Sequence, residues 1–446
     1  MPRWRGSLRP AEHEQGEARP SRRGVVGLSG ALAAGLLTGA GATYAATAAP
    51  RSSGPPSAGR GSPEGTDPSG SVPFRGVHQA GIVTAAQGRM HFVALDVVSD
   101  DPQRLRDLLK AWTIAAERMT YGAEAAPGGA VGGGPWDVPE DTGEALGLPP
   151  SALSITIGYG PSLFDSRFGL ADRRPAALRE LPAFLGDDLD PARSGGDLCI
   201  QACANDPQVA VHAVRNLIRM GLGTVSVRWS QLGFGRTSAT SRAQQTPRNL
   251  FGFKDGTANI MAEDTAALDT HVWIAPADVP GPAAWAAGGS YLVARRIRMH
   301  IEVWDRTPLR EQEVIFGRGK LEGQPLGQKA ERDTIDFAAP GPDGQPAIAD
   351  VAHVALAHES NLGGVRILRR GYNFTDGSDG QGHLDAGLFF VAFMRDAHRQ
   401  FVPMQRALAS KDVLNEYIEH TGSALFVCPP GLSGEQDWGT QLFGRA

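Results

Sequence analysis

Hydrophobic residues in the first half of the chain follow one pattern twice. Each copy has an apolar run of strand length, then Asp-Pro, and then apolar residues at the spacing of an amphipathic helix. The two copies are 91–98 with Asp101-Pro102 and 198–204 with Asp206-Pro207. Because Asp caps a helix N-terminus and Pro fits the first helical turn, the pattern predicts two strand–helix units.

The second half of the chain repeats this order of elements. With further strands predicted at 153–157 and 225–229, the first half has the order of a ferredoxin-like unit. The later predicted strands are 291–304, 365–374, 388–394 and 424–427, with a helix over 401–408 before the last of them. We therefore predict an α+β fold of two duplicated ferredoxin-like domains, of the dimeric α/β-barrel type, with antiparallel sheets and flanking helices.

Segments rich in glycine, proline and serine divide the chain into domains and loops. Residues 50–72 have the composition of a disordered linker. An N-terminal domain over 73–245 and a C-terminal domain over 246–446 are predicted to follow it. Within these domains, the Gly- and Pro-rich stretches 122–147 and 317–350 predict long loops.

Residues 1–49 have the pattern of an export signal. Their first part holds six arginines and three glutamates and ends in Arg22-Arg23, whereas residues 24–49 carry no charge and end in small residues. A basic pair before a weakly apolar run is typical of a twin-arginine signal peptide. A single membrane anchor is the alternative, which the low transfer free energy of Gly and Ala disfavours. We expect a periplasmic, cell-surface or extracellular protein with no stable membrane span in its mature form.

Composition excludes several classes of protein. Of 446 residues, 41% are hydrophobic and 20% are charged, which is enough apolar material for two cores and excludes a disordered, collagen-like or polytopic membrane chain. The net charge of -5 argues against a nucleic-acid partner. Cys199 and Cys203 lie too far apart along a strand to form a disulfide and are predicted to be core residues, while Cys428 is not assigned a role.

Three motifs in the second half carry candidate chemistry. They are Gly252-Phe253-Lys254-Asp255-Gly256, His353, and Arg369-Arg370-Gly371-Tyr372. Each alone has an ordinary explanation, namely a turn, a hydrogen-bonded structural histidine and a strand-edge charge. In this order and spacing, and with Gly158-Tyr159-Gly160-Pro161 in the first half, the chain resembles the dye-decolorizing peroxidase family over nearly all of its mature length. It is most similar to the exported iron-uptake branch, whose members are also described as deferrochelatases.

The resemblance implies a haem site in the C-terminal domain. His353 would be the proximal ligand of one haem b per chain, and the sequence leaves the partner of its other ring nitrogen open. Asp255 would shuttle a proton between the oxygens of hydrogen peroxide, and Arg369 would stabilise negative charge on the departing oxygen. The residues implied to contact the haem are Gly256, Thr257, Ala258, His358, Glu359, Ser360 and Arg369.

Two departures from the family pattern affect the expected haem contacts. The exported branch tends to have Asn-Pro-Arg where this chain has His358-Glu359-Ser360, and a carboxylate cannot replace a cation beside the haem propionates. Ala355 stands where Arg is common after the ligand. His358 is also the rival to His353 as axial ligand.

The leading hypothesis is a haem peroxidase that reduces hydrogen peroxide, oxidises dyes and phenolic or porphyrinogen-type reductants, and serves iron acquisition. The alternatives are a deferrochelatase that releases iron and leaves the porphyrin intact, and a haem carrier or sensor without catalysis. All three need the same pocket, so the sequence does not separate them. Iron-uptake proteins and further copies of the chain are the candidate protein partners. Any of eight Trp and six Tyr could relay electrons to the surface.

Overall fold

A computed structural model describes residues 70–342 and 344–444. The predicted export signal and all but the last three residues of the predicted linker lie outside the described residues. Of those last three, Ser71 and Val72 are buried. None of the helices in the described part of the chain is long and apolar enough to cross a membrane.

The described residues form nine strands and eight α-helices, besides short 3-10 turns. The strands are β1 (Arg89–Val97), β2 (Ser154–Tyr159), β3 (Leu198–Ala204), β4 (Val225–Arg236), β5 (Ser290–Met299), β6 (Leu368–Arg369), β7 (Tyr372–Ser378), β8 (Leu384–Met394) and β9 (Ile418–Cys428). The helices are α1 (Pro102–Thr120), α2 (Pro207–Met220), α3 (Thr265–His271), α4 (Ile301–Trp304), α5 (Leu309–Phe316), α6 (His353–Ala357), α7 (Phe401–Lys411) and α8 (Trp438–Phe443).

Eight of the strands close into an antiparallel barrel. Their order is β5-β9-β2-β3-β1-β4-β7-β8, and β8 pairs back with β5 to close the ring, while the short β6 pairs with β8. Taken half by half, the strands lie in the orders β4-β1-β3-β2 and β9-β5-β8-β7, so both halves follow the sequence fourth, first, third, second. The predicted α+β class with antiparallel strands is therefore confirmed.

Alternate residues of the strands fill the barrel with apolar side chains. In this core the ring of Phe92 contacts those of Phe389 and Phe426, with centroids 5.3 and 6.1 Å apart. The predicted burial of Cys199 and Cys203 is confirmed, and Cys428 is buried in the same core. Burial raises the pKa of the Cys428 thiol, which makes that sulfur unreactive.

Two helices on the outside of the first half begin as the sequence predicts. Asp101 and Asp206 each accept a hydrogen bond from the backbone N–H two residues later, so both predicted caps are confirmed. Trp112 of α1 is buried and donates its indole N–H to the carbonyl of Leu217 in α2 at 2.8 Å. The bond fixes the two helices against each other on the barrel.

The predicted strand over 291–304 is wrong at its C-terminal end. β5 ends at Met299, and α4 begins at Ile301. The backbone N–H of Trp304 bonds to the carbonyl of His300 at 3.0 Å, which closes a single helical turn. Because the apolar residues continue through both the strand and this turn, their pattern does not mark the boundary.

The predicted strand over 365–374 is also wrong, because it is two strands. Arg370 and Gly371 separate β6 from β7. The guanidinium of Arg370 is buried and donates to the carbonyl of Thr84. A Cβ at position 371 would lie 2.8 Å from the Oγ1 of Thr237, so the chain crosses from one strand to the other where only glycine fits easily.

Candidate active site

A cavity of about 430 Å³ lies against the outer face of the barrel wall formed by β5, β8 and β9. Its floor is the outward-facing side chains of that wall, among them Arg295, Ile297, Leu388 and Phe390. Helices α6 and α7 and the loop 249–259 form its other sides. This volume lies in the range of ordinary ligand and cofactor sites.

The cavity brings together most of the residues singled out from the sequence. Those lining it are Asp255, Gly256, Thr257, Ala258, His353, His358, Glu359 and Arg369. Ser360 does not line it, and its hydroxyl lies 2.8 Å from the Nδ1 of His358 instead. The three candidate chemical groups therefore share one cavity, although they lie up to 114 residues apart in sequence.

Asp255 and Arg369 form an ion pair inside this cavity. Arg369 Nη1 lies 2.6 Å from Asp255 Oδ1, and the two side chains are 29% and 15% exposed. Asn259 holds the backbone of Arg369 from both sides, because its Oδ1 accepts the Arg369 N–H at 2.7 Å and its Nδ2 donates to the Arg369 carbonyl at 2.8 Å. The loop that carries the acid is thereby fixed to the strand that carries the guanidinium.

Gly256 is required by the backbone of this loop. Its φ of +86° lies in the left-handed region, and a Cβ would lie 2.9 Å from the Cα of Ser238. The turn that presents Asp255 to the cavity therefore needs glycine at position 256, whether or not this residue contacts a cofactor.

Glu331 ties the long loop 317–350 to the loop of Asp255. Its carboxylate accepts hydrogen bonds from Lys254 at 2.7 Å, Thr257 at 3.1 Å and Thr246 at 2.5 Å. Burial raises the pKa of Glu331, but these hydrogen bonds lower it more, and the net pKa lies below the ordinary value. Sequence reasoning missed this residue, because it lies in the charged run Lys329–Asp333, which carries no local signal of its role.

His353 is the first residue of α6 and is paired with Asp412. Its Nδ1 lies 2.6 Å from Asp412 Oδ2, and the other carboxylate oxygen accepts the Leu414 N–H at 2.9 Å. Burial lowers the pKa of His353, but Asp412 raises it more, so the net pKa lies above its ordinary value. With Nδ1 occupied, Nε2 is the nitrogen available to a ligand in the cavity.

His358 has a different environment. Its Nδ1 accepts the backbone N–H of Ser360 at 3.2 Å, which places the proton of a neutral ring on Nε2. Its Nδ1 contacts are confined to Ser360, whereas the Nδ1 of His353 has a buried carboxylate partner. The hydrogen bonds therefore favour His353 over His358 as a metal ligand.

Three further arginines line the cavity, and the sequence pattern did not single them out. Arg366 lies 3.0 Å from Glu359, so this glutamate is neutralised by a cation seven residues later. Arg318 donates to two backbone carbonyls, and burial lowers its pKa. Arg295 is buried and pairs with Asp187. The family pattern has a cation near position 359, where this chain has a glutamate. Of the three arginines, Arg318 bonds backbone carbonyls rather than a carboxylate, so it brings positive charge to the cavity.

These groups fit a haem. An imidazole with a carboxylate partner suits an iron ligand, and guanidinium groups suit the propionates. Much of the remaining lining is apolar, including Phe316, Leu388, Phe390, Phe401, Met404 and Leu408.

Comparisons with known proteins agree with this arrangement. Family models described as Dyp-type peroxidase, N-terminal and C-terminal, match residues 79–235 and 246–433. Deferrochelatase of Escherichia coli strain K12 is 40% identical over 382 residues, which cover 84% of this chain and 86% of that protein.

Two solved structures are also similar. An oxyferrous complex of DtpA from Streptomyces lividans is 36% identical with a TM-score of 0.76, and the match covers 85% of this chain and 98% of that one. A DyP-type peroxidase from Cellulomonas bogoriensis is 37% identical with a TM-score of 0.74, and the match covers 85% of this chain and 100% of that one.

Replacing Asp412 with Asn tests the partner of His353. The amide keeps a hydrogen-bond acceptor but removes the charge, so we expect the pKa of His353 in haem-free protein to fall. Histidine-resolved NMR titration measures it. Asp379→Asn, at a carboxylate that bonds His383 away from the cavity, is the matched control and should leave His353 unchanged. An unshifted His353 in the Asp412 variant would contradict the pairing.

Because His420, on β9 at the cavity, is buried, we expect the stability of the haem-free protein to fall in acid. Burial, and then the nearby Arg295, lower its pKa to about 3. The unfolded chain, with a histidine pKa of about 6.5, takes up the proton first, so stability falls as the pH drops from about 6.5 toward 3. His420→Gln should flatten this slope by up to about 1.4 kcal/mol per pH unit. Denaturant unfolding across this range measures it, with the exposed His383→Gln as control.

Proposed function

The chain belongs to the Dyp-type peroxidase family and is a haem-dependent peroxidase, and we propose how its own residues carry that activity. The observation that supports the proposal is a single cavity that holds a carboxylate-paired imidazole together with an acid–guanidinium pair. We assign hydrogen peroxide as the oxidant, with dyes, phenols and porphyrinogen-type compounds as the reductants.

One haem b per chain is assigned to this cavity. His353 would hold the haem iron through Nε2, and Asp412 would orient the imidazole ring and increase its electron donation. Arg318, whose guanidinium donates to backbone carbonyls, would provide positive charge for the propionates. The backbone of Gly256, Thr257 and Ala258 contributes the surface next to the acid. His358 and Glu359 complete the rim, and Ser360 acts through its bond to His358.

When bound, the haem supplies the iron at which peroxide is cleaved and stores the resulting oxidising equivalents. Asp255 takes the proton from one peroxide oxygen and returns it to the other, so that water can leave. Because Arg369 engages Oδ1, Oδ2 is the oxygen of Asp255 available for this transfer. Oδ2 accepts one long hydrogen bond, from Asn249 Nδ2 at 3.4 Å.

Arg369 has an electrostatic role. A guanidinium is too weak an acid to donate this proton, and its role is to stabilise negative charge on the departing oxygen. The hydrogen bonds of Asn259 to its backbone hold it in place before peroxide arrives. This preorganisation removes the need to reorient charge during the reaction.

The second candidate function is removal of iron from haem with the porphyrin left intact. It is favoured by the 40% identity to proteins named deferrochelatase. A non-catalytic haem carrier or sensor is disfavoured, because a carrier needs no acid–guanidinium pair beside the ligand. Product analysis separates the first two, since metal-free porphyrin formed without peroxide supports iron removal and peroxide-dependent loss of dye colour supports the peroxidase.

We also propose export by the twin-arginine route, a role in iron acquisition with iron-uptake proteins as partners, and assembly with further copies of the chain. The two halves are proposed to be duplicated ferredoxin-like domains with a boundary near residue 245. The shared strand order of the halves supports the duplication, and the two family models, matching 79–235 and 246–433, support the boundary.

Asp255→Asn should slow the reaction with hydrogen peroxide by about 10²- to 10⁴-fold, because an amide cannot carry the proton. Stopped-flow absorbance of the haem-loaded protein measures this rate. The haem affinity should stay within a few-fold of wild type. Asp379→Asn is the matched control, and an unchanged rate in the Asp255 variant would favour the carrier.

Arg369→Leu should slow the same step by about 10²- to 10³-fold while haem remains bound.

His353→Ala should instead weaken haem binding itself, measured by transfer of haemin to apomyoglobin. Full haem retention in the His353 variant would transfer the ligand assignment to His358, for which His358→Ala is the complementary variant.

A further inference from the structure

A second cavity, of about 300 Å³, lies between the barrel wall formed by β5, β8 and β9 and the turn over 191–193. We call it the mouth pocket. Phe389, Ala294 and Gly422 line it from this wall, and Trp229 lines it from β4. A short turn over 191–193 passes close to the wall, and a Cβ at position 422 would lie 2.6 Å from the carbonyl of Arg193. The walls of the mouth pocket are therefore packed directly against each other at this turn.

The 430 Å³ cavity assigned to the haem, called the haem cavity below, lies on the other side of the same sheet from the mouth pocket. Arg296 and Phe389 pair in the register of β5 and β8 and line the mouth pocket, while the adjacent pair, Arg295 and Phe390, lines the haem cavity. Ser423 also lines the mouth pocket, and its Oγ accepts a hydrogen bond from Arg295 at 3.1 Å. One thickness of sheet separates the two cavities.

The lining of the mouth pocket suits a small planar aromatic molecule. The half-buried Trp229 is stacked on Phe92, with ring centroids 5.3 Å apart and planes 12° apart, and lies 6.1 Å from Phe389. Its indole N–H is bonded to Gly195, which fixes the ring. A rigid aromatic wall of this kind binds a flat ring by stacking.

Polar groups stand at the edge of this aromatic wall. Gln231 and Arg296 are buried, 3% and 5% exposed, and Arg296 is held by two carboxylates, Asp376 and Asp385. Asp190 is exposed at the rim and also lines the pocket. Hydroxyl-bearing rings can hydrogen-bond to such an edge, whereas a large dye exceeds the volume.

We propose that the mouth pocket binds a one- or two-ring phenol as a reductant, and that this phenol is oxidised across the sheet by the haem. This inference rests on the proposed peroxidase function. Each phenol loses one electron to the oxidised haem and its hydroxyl proton to solvent at the rim. Two phenols thus reduce one hydrogen peroxide to two waters and leave as two phenoxyl radicals. Trp229 and Phe389 are positioning residues for this substrate.

Binding of 2-naphthol to the haem-loaded protein without peroxide tests the site directly. Ala192 is exposed and lines the mouth pocket, so Ala192→Trp should fill it and weaken binding at least tenfold by isothermal titration calorimetry. Ala183→Trp, the same change at an exposed alanine outside both cavities, should leave the affinity within twofold. Equal affinity in the Ala192 variant, or a 2-naphthol-induced Soret shift that survives this change, would overturn the proposal.

Turnover provides the second readout. Trp229→Leu should raise the KM for 2-naphthol at least fivefold, whereas Trp285→Leu, at another half-buried tryptophan, should not. Oxidation of a bulky sulfonated anthraquinone dye should be unchanged in every variant. The rate of the peroxide-induced Soret change is recorded alongside. If the Soret change is absent in the wild-type protein, the proposed peroxidase function is wrong. If the Soret change is normal but the KM for 2-naphthol is unchanged in Ala192→Trp and Trp229→Leu, only the proposal for the mouth pocket is wrong.

Discussion

The two-sided wall formed by β5, β8 and β9 is the constraint on which the rest of the molecule depends. Because side chains alternate along a strand, each residue of this wall faces either the barrel core or the haem cavity. Arg295 and Phe390 face the cavity, and their neighbours Arg296 and Phe389 face the barrel. A slip of one residue in the register would exchange the two sets and destroy both the core and the site.

Two consecutive buried arginines fix this register by charge. Arg295 pairs with Asp187 on the cavity side, and Arg296 pairs with Asp376 and Asp385 on the barrel side. Removing one partner of a buried pair costs about 3–5 kcal/mol, because the remaining charge is left without compensation. A wall shifted by one residue would leave both guanidinium groups on the wrong side. The charges therefore select one register more than they add to stability.

Local sequence patterns predicted most of the strands and the helices α1, α2 and α7, and they singled out three groups that line one cavity, but they did not identify the partners of those groups. The Asp-Pro caps are local, and Asp255 and Arg369 stand in recognisable motifs. Asp412 lies 59 residues from His353, and Glu331 lies 77 residues from Lys254. Their contacts depend on how distant loops and helices pack, which no spacing along the chain encodes. The break between β6 and β7 was missed for the same reason, since Gly371 there packs against Thr237, which is distant in sequence.

The charges of the cavity also bear on the choice between peroxide cleavage and iron removal. Taking iron out of a porphyrin requires two protons from outside, which replace the metal on the ring nitrogens. Among the carboxylates that the described residues place in the cavity, Asp255, Glu359 and Asp412 are each paired with a basic side chain. All three carboxylates thus already have a basic partner, and the cavity holds no group of acids arranged to deliver two protons among these three.

Peroxide cleavage has no such requirement. Hydrogen peroxide brings both protons of the departing water, and one carboxylate beside a fixed cation needs only to move one of them between two oxygens. A paired acid such as Asp255 is suited to that exchange, because it ends the step in the state in which it began. The pairing of its charges thus makes this cavity better suited to transfer a proton within its substrate than to supply protons to a porphyrin.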